Sequence, residues 1–123
     1  MAKIERFEEI RGWQEARKLV TDIYLLTSTG AFSRDYYGLR DQSQRAAVSV
    51  MTNVAEGFDR ESKAEFARFL GIARCSAVEV QSLLHASLDI GYIDKAKFDE
   101  YYGQAQRAKA LFGALKHSLL KPT

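Results

Sequence analysis

The sequence contains one cysteine, one proline and two histidines, and each shortage excludes a class of protein. Cys75 has no partner for an intramolecular disulfide, which indicates a reducing compartment, and we expect its side chain to be a small buried hydrophobe. Two histidines are too few for the common zinc sites. Pro122 lies near the end of the sequence, so no internal proline prevents long helices.

Long apolar runs are also missing. No stretch approaches the roughly 20 apolar residues that a membrane-spanning helix needs, and residues 1–6 lack the apolar centre of a signal peptide. Hydrophobic residues make up 46% and charged residues 28% of the 123 residues, which is typical of a folded chain rather than a disordered one. We therefore predict a single cytoplasmic domain, residues 1–123, with no membrane contact.

Apolar residues recur every three or four positions in four segments, as they do on one face of an α-helix. The segments cover about residues 7–28, 34–56, 63–90 and 95–120. No alternating run rich in Val, Ile or Thr predicts a strand. The connections of about 4 to 6 residues are short enough to make neighbouring helices antiparallel. The sequence therefore predicts an all-α fold, an antiparallel up-down-up-down four-helix bundle.

Capping residues mark the ends of these segments. Ser33 or Asp35 can cap the start of the second helix, Ser62 begins a capping box before the third, and Asp94 precedes the fourth. Three glycines follow apolar stretches at positions that C-caps commonly take: Gly30, Gly57 and Gly91.

A polar stripe accompanies the apolar one on the second predicted helix, where Arg45, Ser49 and Asn53 recur every four residues. Buried polar groups need hydrogen-bond partners, and Ser76 and Glu79 near the middle of the third helix can supply them. We therefore predict an interhelical network in which Arg45 pairs with Glu79; a ligand site and a solvated face are the alternatives. On this hypothesis Arg45→Ala destabilises the fold by stranding a buried carboxylate.

This stretch resembles the central signature of the four-helix-bundle proteins encoded within 23S ribosomal RNA intervening sequences. The resemblance covers nearly the whole chain and is most specific from Leu39 to Glu79. Its central motifs are Arg45-Ala46-Ala47-Val48-Ser49 and Asn53-Val54-Ala55-Glu56-Gly57, followed by Arg60. It extends to the first and third helices through Trp13-Gln14-Glu15-Ala16, Tyr24, Lys63-Ala64-Glu65-Phe66, Ser76 and Glu79. The sequence departs from the family by lacking prolines at Ala31-Phe32-Ser33 and at Met51, and a glycine near Arg74-Cys75.

The resemblance implies an antiparallel four-helix bundle that assembles into a ring, typically a homopentamer. It also implies kinship with the accessory proteins of diversity-generating retroelements, which bind nucleic acid and a reverse transcriptase. No catalytic residue belongs to the family motif. For assembly we single out six residues: Arg45, Ser49, Asn53, Glu56, Arg60 and Glu79.

The net charge is only +2, but no acidic side chain follows Gly103. Lys109 and Lys116 are one heptad apart and share an edge of the fourth predicted helix, whereas Arg107 points to the opposite side. These three residues are the candidate phosphate contacts. The alternative is that basic residues here complement the negative end of the helix dipole.

Motifs of known chemistry are absent from the sequence. It contains no Glu-x-x-His pair for a di-metal centre and no glycine-rich phosphate loop, and neither Ser49 nor Ser76 has a histidine at usable helical spacing. We therefore expect no catalytic, cofactor-binding or metal-binding residues.

The first functional hypothesis is a non-enzymatic homo-oligomeric binding module for RNA or an RNA-associated protein. The second is a structural protein–protein interaction module without nucleic acid. A small-ligand carrier or an enzyme that uses the bundle interior is the third.

Overall fold

The computed structural model describes residues 3–122 and is built from five α-helices. Their bounds are α1 Arg11–Leu26, α2 Gly30–Arg34, α3 Asp41–Phe58, α4 Lys63–Ile90 and α5 Lys95–Leu120. A 3₁₀ turn, Phe7–Glu9, precedes α1, and a π-helical turn, Tyr36–Arg40, joins α2 to α3. Residues 3–122 contain no strand, so the predicted all-α class is confirmed. Within the same range no helix combines the length and apolarity needed to cross a bilayer.

The two C-terminal helices have the predicted bounds, and their caps explain why. The Ser62 hydroxyl accepts the Glu65 N–H at 3.1 Å at the start of α4, and the Asp94 carboxylate accepts the Lys97 N–H at 2.9 Å at the start of α5. Each bond satisfies an amide that has no partner within the helix. Gly91 ends α4 with a φ of 90°, a left-handed conformation that favours glycine.

The first two predicted helices are shorter than the apolar periodicity indicated. Ile10 has an extended backbone, with a ψ of 120°, so the chain turns between the 3₁₀ segment and α1. The predicted helix 34–56 is wrong in its first turns, because α3 begins only at Asp41 and extends to Phe58. Of the predicted glycine C-caps, Gly30 instead opens α2 and Gly57 lies inside α3.

The π-helical turn contains a kink at Gly38, whose φ of −104° and ψ of −122° are not helical. The Asp35 carboxylate accepts the Leu39 N–H at 3.0 Å and the Tyr92 hydroxyl at 3.2 Å, which ties this turn to the α4–α5 connection. A Cβ on Gly38 would overlap the same carboxylate. Burial, together with the Asp35 charge, raises the pKa of Tyr92. Asp35 therefore organises this end of the molecule.

The four long helices share one apolar core. α1 packs against α3 and α5, and α4 packs against the same two helices. Alanines at the contacts let the backbones approach, and larger side chains fill the centre, each contributing about 1.5–3 kcal/mol when fully buried. The fully buried large side chains include Leu19, Ile23, Val50, Val54, Leu70, Val80 and Phe112. Phe32 of α2, 2% exposed, belongs to the same core.

Candidate functional site

A small polar cluster joins α3 to α4. The Ser49 and Ser76 hydroxyl oxygens lie 2.8 Å apart. The Asn53 amide donates to the Ser49 carbonyl at 2.8 Å and to the Ser49 hydroxyl at 3.0 Å. Ser76 is buried, and the other two side chains are half-buried. Of the predicted interhelical network, these are the side chains that the fold brings together.

The predicted ion pair between Arg45 and Glu79 is wrong. The Arg45 Nε lies 3.2 Å from an Asp41 carboxylate oxygen one turn earlier on α3, and the Arg45 side chain is 81% exposed. Glu79 is also exposed. The reason is rotation, because each four-residue step advances about 40° around a helix. Ser49 and Asn53 therefore face α4, whereas Arg45 has turned outward.

Four of the six residues singled out for assembly lie at the surface rather than between helices. We call this set the charged face: Arg45, Glu56, Arg60 and Glu79, all exposed. The Arg60 guanidinium lies 4.6 Å from the centre of the Phe69 ring. Near the α3–α4 turn, Glu56 and Arg60 line an open depression that also includes Glu65. The hydrogen bond from Arg68, and the positive charges of Arg68 and Arg60, lower the pKa of Glu65.

A second surface follows the line where α4 meets α5. The Lys109 ammonium donates to the side-chain oxygens of Gln81, at 3.1 Å, and Gln106, at 3.4 Å. Gln81 is only 4% exposed, and its amide donates to the Tyr102 carbonyl at 3.4 Å. Both oxygen partners of Lys109 are uncharged, so the fold orients this half-buried ammonium without neutralising it.

Two more cations lie along the same line. A Cβ on Gly71 would be 3.3 Å from the Lys116 ammonium, so the Lys116 side chain lies across α4. Arg74 is one turn after Gly71 and two turns before Gln81, which puts it on the α5-facing edge of α4. Within residues 3–122 no carboxylate lies within 4 Å of these cations or of Lys109. We call Arg74, Lys109 and Lys116 the basic seam.

Arg107, the third candidate phosphate contact, lies elsewhere. Its Nε is 3.5 Å from a Glu15 carboxylate oxygen on α1, which confirms that it points away from Lys109 and Lys116. The seam instead includes Arg74, which the sequence did not single out. Arg74 can be identified only from the packing of α4 against α5, because its spacing from Gly71 and Gln81 then places it on the α5-facing edge of α4.

The remaining chemistry of the surface is limited. Cys75 is exposed, so the prediction that it is a buried hydrophobe is wrong. In the part of the chain that the structure describes, no three His, Cys, Asp or Glu side chains are grouped closely enough to hold a metal ion. The arrangement of the basic seam can bind anions, and that of the charged face can pair with a surface carrying both signs of charge.

Comparison with known proteins finds a family whose model matches most of this chain. The model of the family described as 23S rRNA-intervening sequence protein matches residues 8–114. A solved structure from Bacteroides thetaiotaomicron VPI-5482, a protein with unknown function from the S23 ribosomal protein family, superposes with a TM-score of 0.76. The two chains are 18% identical, and the match covers 85% of this chain and 97% of the other, which indicates a shared fold. No curated protein matches the chain.

Proposed function

Because the chain belongs to the family of 23S rRNA-intervening sequence proteins, we propose that it is a non-enzymatic, ring-forming homo-oligomer that binds RNA in the cytoplasm. The observation that carries the proposal is the basic seam, three cations along one helix–helix line that have no carboxylate partner among residues 3–122. An isolated lysine on a surface usually lays its stem along apolar neighbours. Here Lys109 is instead oriented by two neutral oxygens, with its charge available to a phosphate.

The framework of this module is an antiparallel up-down-up-down four-helix bundle. The order of contacts along α3 and α4 supports it: Gly57 lies against Phe69, and Ser49, two turns earlier on α3, meets Ser76, about two turns later on α4. Contacts between α4 and α5 follow the same opposed order, since Gln81 meets Gln106 and His85 meets Phe98.

We assign the charged face to subunit contacts. It carries two arginines and two glutamates, so one copy offers each sign of charge to the next. Exposed pairs within one chain, such as Arg45 with Asp41, contribute little to folding, which leaves these side chains free to serve assembly. A ring, as a homopentamer, would repeat the basic seam around its axis and raise avidity for a long RNA without new contacts.

RNA binding is tested by fluorescence anisotropy across a salt series. We expect the logarithm of affinity to fall linearly with the logarithm of salt concentration, with a slope of about −0.7 for each phosphate contacted. The double variant Lys109→Glu/Lys116→Glu should abolish binding, whereas Arg107→Glu, the same charge reversal on the other edge of α5, should weaken it far less. Negligible binding at low salt would instead support a protein–protein interaction module whose partner is an RNA-associated or other protein.

Assembly is tested by light scattering on the purified protein. We expect the mass of about five subunits of 13.9 kDa each. Arg45→Glu should lower that mass, because it puts like charges at the subunit contact while leaving the monomer core untouched. A single-subunit mass for the unmodified protein would exclude the ring.

A further inference from the structure

An aromatic cluster lies beside the basic seam. The His85 ring packs against Phe98, with centroids 4.7 Å apart, and meets Tyr102 edge-on at 5.7 Å. Phe98 and Tyr102 lie 5.3 Å apart. Phe98 is buried, Tyr102 is half-buried and His85 is exposed. The buried ring therefore supports two rings that reach the surface.

The cluster continues the line of the seam. His85 is one turn beyond Gln81 on α4, and Tyr102 precedes Lys109 by two turns of α5, about 10 Å along the axis at 1.5 Å per residue. The Gln81 amide bonds to the Tyr102 carbonyl while its oxygen accepts from Lys109. One buried side chain thus connects the backbone of Tyr102 to the nearest cation of the seam.

Cations followed by supported aromatic rings are the combination with which proteins bind single-stranded nucleic acid. Phosphates follow the charged groove, and unpaired bases stack on flat side chains. A double-stranded RNA cannot use such rings, because its bases are already stacked and its grooves do not present their faces. Charge alone does not favour the single strand, because a duplex carries the denser phosphate charge. The aromatic cluster is therefore the feature that can favour the single strand.

We propose that an unpaired base of an RNA strand stacks on the His85 ring, which Phe98 and Tyr102 support, while the phosphates of that strand lie on Arg74, Lys109 and Lys116. This inference rests on the proposed RNA binding and deepens it, since it makes single-stranded RNA the partner. The exposed tyrosine pair between α2 and α3 is not needed. Tyr37 is 90% exposed, and among the described residues the only aromatic ring paired with it is that of Tyr36.

The test measures anisotropy with three labelled probes: a single-stranded oligoadenylate, the same backbone with abasic sugars, and an RNA duplex. His85→Ala should weaken binding to oligoadenylate by about tenfold, within the range known for loss of one stacked base. His85→Phe keeps a flat ring and should bind as the unmodified protein does. Tyr37→Ala is the matched control, because it removes a more exposed ring, and it should have no effect.

Affinity for the abasic probe and for the duplex should be the same in His85→Ala as in the unmodified protein, and the salt dependence with oligoadenylate should keep its slope. An equal loss on all three probes would overturn the stacking proposal, as would full affinity of His85→Ala for oligoadenylate. A changed oligomer mass in His85→Ala would also overturn it, because the rings would then belong to a subunit contact. Failure of RNA binding itself has a different signature: no salt-dependent affinity, and no effect of Lys109→Glu/Lys116→Glu.

Discussion

Gly57 is a position where α3 and α4 approach each other closely, and its substitution by alanine is a sharp test of the packing. A Cβ built on Gly57 would lie 2.5 Å from the Phe69 Cβ and 3.1 Å from a ring carbon of Phe66. The Phe69 Cβ is attached directly to the α4 backbone, so a change of rotamer cannot move it away. The two helices would have to separate by about 1 Å to restore ordinary contact.

The expected cost follows from two opposing terms. Overpacking of a tight core costs about 1–3 kcal/mol, and a gap of about 1 Å along the rest of the contact forfeits up to half of the dispersion energy there. Alanine returns at most about 1 kcal/mol of helix propensity. We therefore expect Gly57→Ala to lower the free energy of unfolding by about 2 kcal/mol, which corresponds to about 8 °C in Tm for a chain of this size.

Urea denaturation followed by far-ultraviolet circular dichroism measures this change, at one protein concentration because an oligomer's stability depends on it. Gly113→Ala is the matched control. It lies inside α5 with no neighbour within 4 Å of a built Cβ, so we expect it to be neutral or to stabilise by up to about 1 kcal/mol. If Gly57→Ala were as stable as Gly113→Ala, the close approach of α3 to α4 at this point would be refuted.

Three further predictions concern single side chains. Ser76→Ala should lower the free energy of unfolding by about 1 kcal/mol, since it removes a partly buried hydrogen bond to α3; a urea midpoint equal to that of the unmodified protein would contradict this. Arg45→Ala should leave the urea midpoint nearly unchanged once the protein is dissociated into monomers, because the ion pair of Arg45 with Asp41 is exposed. A large fall in the urea midpoint would mean that the Arg45 side chain has a buried partner after all. The raised pKa of Tyr92 means that the folded chain holds the phenol proton more tightly than the unfolded chain does. The contribution of this proton to the free energy of unfolding is complete below the ordinary pKa of 10.0 and is lost as pH rises through the folded value. Tyr92→Phe, which also removes the bond to Asp35, should therefore make the alkaline fall in Tm shallower, and an unchanged slope would exclude Tyr92 as its source.

The sequence was most informative where a helix is long and its caps are local. Ser62, Asp94 and Gly91 each act within one turn of their own helix, so the bounds of α4 and α5 could be predicted. The start of α3 could not, because a contact distant in sequence helps to set it. Asp35 holds the kink partly through Tyr92, 57 residues away, and apolar periodicity carries no sign of that bond.

Some residues of the candidate site could likewise be predicted from the sequence, and others could not. The four-residue spacing of Arg45, Ser49 and Asn53 correctly marked a polar stripe, but the stripe winds around the helix, so its two ends face different surroundings. That Lys109 and Lys116 share one edge of α5 was likewise readable from the heptad. Arg74 could not be grouped with these lysines from the sequence, because it lies on α4 and only the packing of α4 against α5 brings it to the same line.

By itself the sequence determined the helical class, the two longest helices, most of the apolar core and the family, because each depends on residues a few positions apart or on a contiguous motif. The tertiary structure alone decided which charges face solvent, which cations line up with no carboxylate from the described part of the chain beside them, and which rings extend that line. Those properties depend on how helices are rotated against one another. Rotation is set by the close approach of small residues such as Gly57 across two helices, and no single helix encodes it.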